Sequence, residues 1–477
     1  MAEVSQRVLP SSVDYTKILP LAVESRSRRR TFLPNNGQSF QSDQNNIIRI
    51  DISANAFLDP KHSYLRFRFN NTTGQTCGFD FAGGSGFINR LRISQNGSVL
   101  SDLFNYGRLV GGILLPTQMG ADGVSERSLT EGQRYANEAN AAVISMTPSL
   151  NAESTGGIVD TPTNPVAQIG AGQSYIFSVP LINGLIGSTQ DKMVPLQLLG
   201  SAPIQIEIFM ENVENVGQFA APPNAYVLDE VRYIASLVEV GQEVDNQLRA
   251  VQAASRGRLV LNGVDFHHFT GNLPVGTQGE AVMNIPVRKK SMKSLLWVAA
   301  TPNLAAPARS ACYNLSFGGH LNLRDYWMKI GNNVYPPSPI VCNFNNAQNV
   351  GQQAEAFSEL AKCVGTLNSV NGTGILSRIN CYTTDCDNAN FPTATGAGAA
   401  ANLYLFSPFG VDLEAFQKTA IESGVDTSSR ALQMSLHMNL GPDAGGGVAA
   451  DAITIDAYVV YDALYYIDEN GRINVSQ

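Results

Sequence analysis

The chain has 477 residues, of which 44% are hydrophobic and 15% charged, with a formal net charge of −8. That length exceeds what one hydrophobic core usually serves, the apolar fraction excludes a disordered chain, and the acidic balance excludes a general affinity for nucleic acid. The 43 glycines, with abundant Asn, Ser and Thr, favour sheets joined by turn-rich loops over helical bundles.

Residues 1–44 carry no periodic pattern and read as an N-terminal arm. The opening MAEVSQRVLP has no apolar run of the signal-peptide kind, so an intracellular product is expected. The scattered cysteines (Cys77, Cys312, Cys342, Cys363, Cys381 and Cys386) are then expected as reduced thiols. Within the arm, VDYTKILPLAV (13–23) offers apolar surface, and ESRSRRRTF (24–32) sets Arg26, Arg28, Arg29 and Arg30 close together. Residues 1–45 hold six basic and four acidic side chains, so a basic arm precedes an acidic body. The four arginines are the candidate contacts to an acidic neighbour or to DNA, with a solvated stretch as the plain alternative.

Strands follow. NIIRIDIS and SYLRFRF, within 46–69, alternate apolar and polar residues, as half-buried strands do. NRLRISQNGSVL (89–100) reads as a hairpin around an Asn-Gly turn and leads into a helical stretch at 101–115. The insertion 116–170 reads as a surface loop, and LVGGILLP (109–116) is too short to cross a bilayer, so no transmembrane segment is expected. SYIFSVP (174–180), IQIEIFM (204–210) and DEVRYIAS (229–236) complete the half. GQEVDNQLRAVQAAS (241–255) is polar and helix-prone and serves as a linker.

The second half repeats the first. NLYLFSP (402–408), LQMSLHM (432–438) and AYVVYDAL (457–464) stand 228 residues after SYIFSVP, IQIEIFM and DEVRYIAS, matching Val231 to Val459, Tyr233 to Tyr461 and Ala235 to Ala463. With drift, 280–300 resembles 46–69, DYWMKIGNNVYP (325–336) resembles the hairpin, and 345–362 resembles the helical stretch. A shared diagonal of this length marks a duplication. Each half supplies about eight antiparallel strands with one apolar face, which is a jelly roll; an immunoglobulin-like sandwich is usually half the size. The expected fold is all-β: two tandem eight-stranded antiparallel jelly rolls with short helices in the loops. The expected boundaries are an arm at 1–44, a first jelly roll at 45–240, a linker at 241–256 and a second jelly roll at 257–477.

Three stretches carry a resemblance: NIIRIDISANAFLDPKHSYLRFRF (46–69), PLINGLIGSTQDKMVPLQLLGSAPIQIEIFM (180–210) and IDAYVVYDALYYIDENGRI (455–473). Together with the tandem barrels, they are similar to the double jelly-roll major capsid proteins of DNA viruses, in the group of polinton-like viruses and virophages. The resemblance implies a structural protein of the virion, made in the infected host cell and forming pseudo-hexameric homotrimeric capsomers of an icosahedral shell. It implies as partners the chain itself, neighbouring capsomers, and penton and minor capsid proteins, with a weak contact to packaged DNA through the arm. The loops at 116–170 and 387–402 are the candidates for the outer surface. The competing readings are a two-domain jelly-roll hydrolase or carbohydrate-binding protein, and a minor capsid component.

Catalytic patterns are missing from the sequence. GAGQS (170–174) lacks the Lys of a phosphate loop, and GGSGF (83–87) fails the nucleophile-elbow spacing, which leaves Ser85 as a flexible turn residue. His267 and His268 are adjacent, so on a strand they point to opposite faces. CYTTDC (381–386) is a single cysteine pair without a second, too little for a zinc site. No enzyme, cofactor or metal is expected. Tyr233, Tyr461, Tyr465, Tyr466, Trp297 and Trp327 sit in strand patterns and are expected as core or subunit contacts.

Overall fold

The computed structural model describes residues 25–72, 77–80, 82–118, 130–131, 172–187, 189, 192–200, 202–219, 225–274, 277–300, 315–316, 318–319, 323–342, 354–367, 407–414, 424–429, 432–441 and 453–476. The first half contributes β1 (Ser25–Phe32), β2 (Ser39–Gln41), β3 (Ile47–Ile52), β4 (Phe57–Asn70), β5 (Cys77–Phe79), β6 (Ile88–Gln95), β7 (Ser98–Phe104), β8 (Ser174–Val179), β9 (Val194–Pro195), β10 (Ile204–Met210), β11 (Gly217–Phe219) and β12 (Val227–Val240). The second contributes β13 (Leu259–Leu273), β14 (Gly279–Asn284), β15 (Met292–Ala300), β16 (Leu323–Ile330), β17 (Asn333–Val341), β18 (Phe409–Asp412), β19 (Met434–Leu440), β20 (Ile453–Ile467) and β21 (Ile473–Ser476).

One topology appears twice. Sheet order β1-β12-β4-β8 faces β3-β10-β6-β7 in the first half, and β13-β20-β15-β18 faces β14-β19-β16-β17 in the second. Every neighbouring pair in these sheets is antiparallel. Eight strands in this order make a jelly roll, so the expected fold class holds. Between the barrels runs the helix Gln242–Ala254.

Local chemistry accounts for each layer. In β10, Ile204, Ile206, Ile208 and Met210 are buried on the inward face. The outward Glu207 is buried as well, because Arg49 at 2.9 Å and Arg92 at 3.3 Å neutralise it. Opposite lie Leu65, Phe67, Phe69, Phe177 and Tyr233. Phe67, Phe69, Phe79, Phe87 and Phe177 form an aromatic cluster with centroids 5.0–5.6 Å apart. The second barrel fills the same space with a smaller set: Trp297 stacks on Phe409 at 4.2 Å and meets the edge of Tyr326 at 5.7 Å.

The structure corrects two expectations about the strands. The first concerns the arm. Ser25–Phe32 does not stay outside the sheets; it pairs with β12 over its whole length, from Ser25 opposite Val240 to Phe32 opposite Tyr233. The first jelly roll therefore takes its first strand from within the expected arm, and β2 extends the same edge opposite Val227–Asp229. In the second barrel this strand is the unbroken β13, paired with β20 over fifteen residues. The pattern of β1 is invisible in sequence because seven of its eight residues are exposed: backbone pairing and the buried Phe32, not an apolar face, hold this edge.

The second correction concerns the duplication's register. Ile204 pairs with Gln95, the last residue of β6, and Met434 pairs with Ile330, the last residue of β16. The equivalent of Ile204 is therefore Met434, two residues beyond the match by sequence. A shift of two preserves which side chains face inward, so the alternation could not reveal it.

The remaining helical expectations hold in part. Residues 101–104 belong to β7, and the helix begins at Tyr106, continuing through a π-turn at Val110–Leu114 to Gln118. Of 345–362, only 354–362 lie among the described residues, all within the helix Ala354–Cys363.

Candidate assembly surfaces

Arg26, Arg28, Arg29 and Arg30 all lie exposed on edge strand β1. Arg28 reaches Glu239 of β12 at 3.1 Å, Arg29 donates to the Tyr64 hydroxyl at 2.9 Å, and Arg30 lies 4.9 Å over the Phe32 ring. Such exposed contacts hold side chains loosely and stabilise the fold little.

Sequence reasoning missed a second basic surface on the outward face of β4 and β12. Glu230 sits at a bulge with φ +48° and is clamped by Arg66 at 3.2 Å, Arg68 at 2.9 Å and Arg232 at 3.1 Å. Arg68 also pairs with Asp229 at 2.7 Å, and this bond holds the Asp229 carboxyl below its usual range. The signal was present in SYLRFRF, whose arginines alternate with the buried Phe67 and Phe69.

The seam between the barrels is polar and buried, and no motif announces it. Asp456 of β20 forms an ion pair with Arg108 at 2.8 Å and accepts from His268 at 2.8 Å and from Asn105 at 3.0 Å, while Tyr458 donates to the Asn105 carbonyl at 3.0 Å. Burial alone would raise the Asp456 carboxyl, but the His268 bond and the Arg108 charge hold it below its usual range. Asp80 of the first barrel binds the backbone N–H of Leu315 at 3.1 Å and the Ser316 hydroxyl, and burial pushes its carboxyl up to about 6. Gln95 donates to the Gly471 carbonyl at 3.0 Å and accepts from the Ile473 N–H at 2.7 Å. Within the second barrel, Asp265, Tyr461 and Tyr465 form a further buried group, with burial raising Asp265. Lys289 falls to about 8 through burial, and its ammonium lies 3.8 Å from the Tyr461 ring centre. The contacts of Asp456, Asp80 and Gln95, which cross from one barrel to the other, satisfy buried polar groups only at one relative setting of the barrels, so the seam specifies that setting.

The residues weighed for catalysis fall elsewhere. Ser85 is not the flexible turn residue expected but lies buried in the short helix Gly83–Phe87. Gly84 is required there, since a Cβ would meet Val179 Cγ2 at 2.4 Å. His268 binds Asp456, whereas the ring of His267 packs 4.8 Å from Phe269, and burial lowers His267 to about 4. Among the described residues no group of three or more His, Cys, Asp or Glu is placed to hold a metal. Cys342 and Cys363 are free thiols, and burial pushes both up, which disfavours the thiolate. Tyr233, Tyr461, Tyr465 and Trp297 are buried, while Tyr466 and Trp327 are half-buried on the surface, Trp327 stacked on His437 at 5.2 Å. CYTTDC, the loop 387–402 and nearly all of 116–170 lie outside the described residues. No described helix is long and apolar enough to cross a membrane.

No protein-family model matches the chain, and no curated protein matches it in sequence. Solved structures do match. VP54 of PBCV-1, whose crystal structure was fitted into a cryo-EM reconstruction of the virophage Sputnik, aligns with TM-score 0.57 at 11% identity, covering 97% of this chain and 99% of that one. The faustovirus major capsid protein aligns with TM-score 0.54 at 9% identity over 94% and 92%. The cryo-EM structure of the Sputnik virophage aligns with TM-score 0.53 at 10% identity over 98% and 92%. The chain has the double jelly-roll fold of these viral capsid proteins over nearly its whole length.

Proposed function

We propose that this protein is the major capsid protein of an icosahedral DNA virus, a structural component of the virion and not an enzyme. The single observation that carries the reading is the end-to-end match to capsid proteins with both barrels in place, since neither barrel alone would distinguish a capsid subunit from other jelly rolls. The finer reading is a homotrimer. Two similar barrels fixed side by side, repeated around a threefold axis, give a tile with six near-equivalent walls, which packs hexagonally into a shell. The buried seam supports this, because a tile needs one fixed angle between its barrels.

Neighbouring capsomers, penton and minor capsid proteins are the partners of such a tile. Arg26, Arg28, Arg29 and Arg30, exposed on an edge strand of an acidic chain, are the contacts we assign to an acidic neighbouring surface, with packaged DNA as the second ligand of the same charge. Light scattering on the purified protein tests the trimer: the reading requires about three times the chain mass of 51.2 kDa, and a stable monomer at high concentration contradicts it.

A further inference from the structure

Where the barrels meet the linker helix there is an apolar groove of about 530 Å³. Val238 and Val240 at the end of β12 form one wall, Val244, Leu248 and Val251 of the helix another, and Val260 of β13 the third. Val251 is 53% exposed and Val260 42% exposed, so this is apolar surface that the described residues leave uncovered. Contiguous open apolar surface of this kind marks a docking site.

The course of the chain indicates the occupant. Ser25 lies opposite Val240, and β1 runs antiparallel to β12. The start of β1 therefore lies at the end of β12 that leads into the linker helix, beside the groove. The preceding stretch is VDYTKILPLAV (13–23), with Val13, Ile18, Leu19, Leu21 and Val23 as its apolar side chains. At roughly 3.3 Å per residue it reaches about 36 Å, whereas the thirteen residues of the helix span about 20 Å, so its length is ample.

We propose that residues 13–23 dock in this groove of their own chain, covering the linker helix and tying the start of β1 to the junction of the two barrels. The docking needs only a single chain and so does not depend on the assembly reading. Because Ser25 is anchored beside the groove, the segment binds as a tethered ligand at high effective concentration.

A protein lacking residues 1–24 retains all of β1 and an open groove. A fluorescent peptide of residues 10–24 should bind this truncated protein by anisotropy and should not bind the full chain, whose own segment occupies the site. Val251→Asp, on an exposed helix position that leaves the fold intact, should weaken peptide binding roughly tenfold or more, the worth of one buried valine. Equal binding to truncated and full-length protein, or binding to neither, overturns the proposal. The source of the segment is read from Leu19→Cys combined with Val251→Cys. Under mild oxidation an intrachain bridge, with no covalent dimer on a non-reducing gel, is expected. Covalent dimers would show that a second copy supplies the segment, and no bridge at all would place it elsewhere; either result overturns docking within the chain.

Discussion

Replacing Asp456 by Asn keeps the shape of the seam and removes its one central negative charge. Arg108 and Asp456 are 6% and 4% exposed and lie 2.8 Å apart across the barrels. At an effective dielectric of about 20 their attraction is roughly 4–6 kcal/mol, and breaking a buried pair from one side typically costs about 3–5 kcal/mol, because the remaining charge stays buried without its counter-charge. Asp456→Asn should therefore destabilise the protein by about 3–5 kcal/mol, measured as a fall in urea midpoint. The loss falls on the seam and not inside either core, so the unfolding curve should also separate toward two transitions as the barrels uncouple. Arg108→Met in the Asp456→Asn background removes the stranded charge and should recover most of the loss. Additive effects of the two substitutions, or a cost below about 1 kcal/mol for Asp456→Asn, would refute the claim that this pair fixes the barrels to one another.

Three further outcomes are expected. Asp80 has its carboxyl raised from 3.8 to about 6, so the folded state holds this proton more tightly than the unfolded chain; its favourable contribution is complete below pH ~4 and is lost as pH rises through ~6. Urea titrations from pH 4 to pH 8 should show wild type losing up to about 3 kcal/mol relative to Asp80→Asn, and parallel profiles would dismiss the assignment. Gly84→Ala drives a methyl into Val179 and Phe177 and should cost about 1–3 kcal/mol in a thermal melt, whereas the same change at Gly200, with open space but φ +62°, should register only as backbone strain. Replacing Arg26, Arg28, Arg29 and Arg30 together by Ala should leave the oligomer's mass unchanged and abolish the salt dependence of its higher assembly; a salt response identical to wild type removes these residues from the contact.

Much of the architecture was legible because the same strand is written twice. IQIEIFM buries every second residue, and the matches of Tyr233 with Tyr461 and Ala235 with Ala463 fall on buried positions of β12 and β20. What escaped did so for physical reasons. β1 has almost no buried side chain, so nothing in its composition distinguishes it from a solvated tail; removing residues 1–30 would cut away most of that strand, while removing 1–24 spares it. The slip between β10 and β19 is a whole pleat, which leaves the apolar pattern unchanged. The seam joins residues far apart in the chain, Asn105 to Asp456 and Asp80 to Ser316 among them, and each side chain taken alone is an ordinary polar residue in a strand or turn. Arg66 and Arg68 were visible as outward positions, but their convergence on Glu230 depends on a bulge in β12 that no local pattern encodes.

The most direct measurement of the central claim is electron microscopy of the purified protein. Class averages should show a single threefold particle whose projection has six lobes, two per chain and nearly equivalent, and these particles should pack into hexagonal arrays at high concentration. Two-lobed single chains, or a closed dimer that buries the barrel walls needed for lateral packing, would contradict the account.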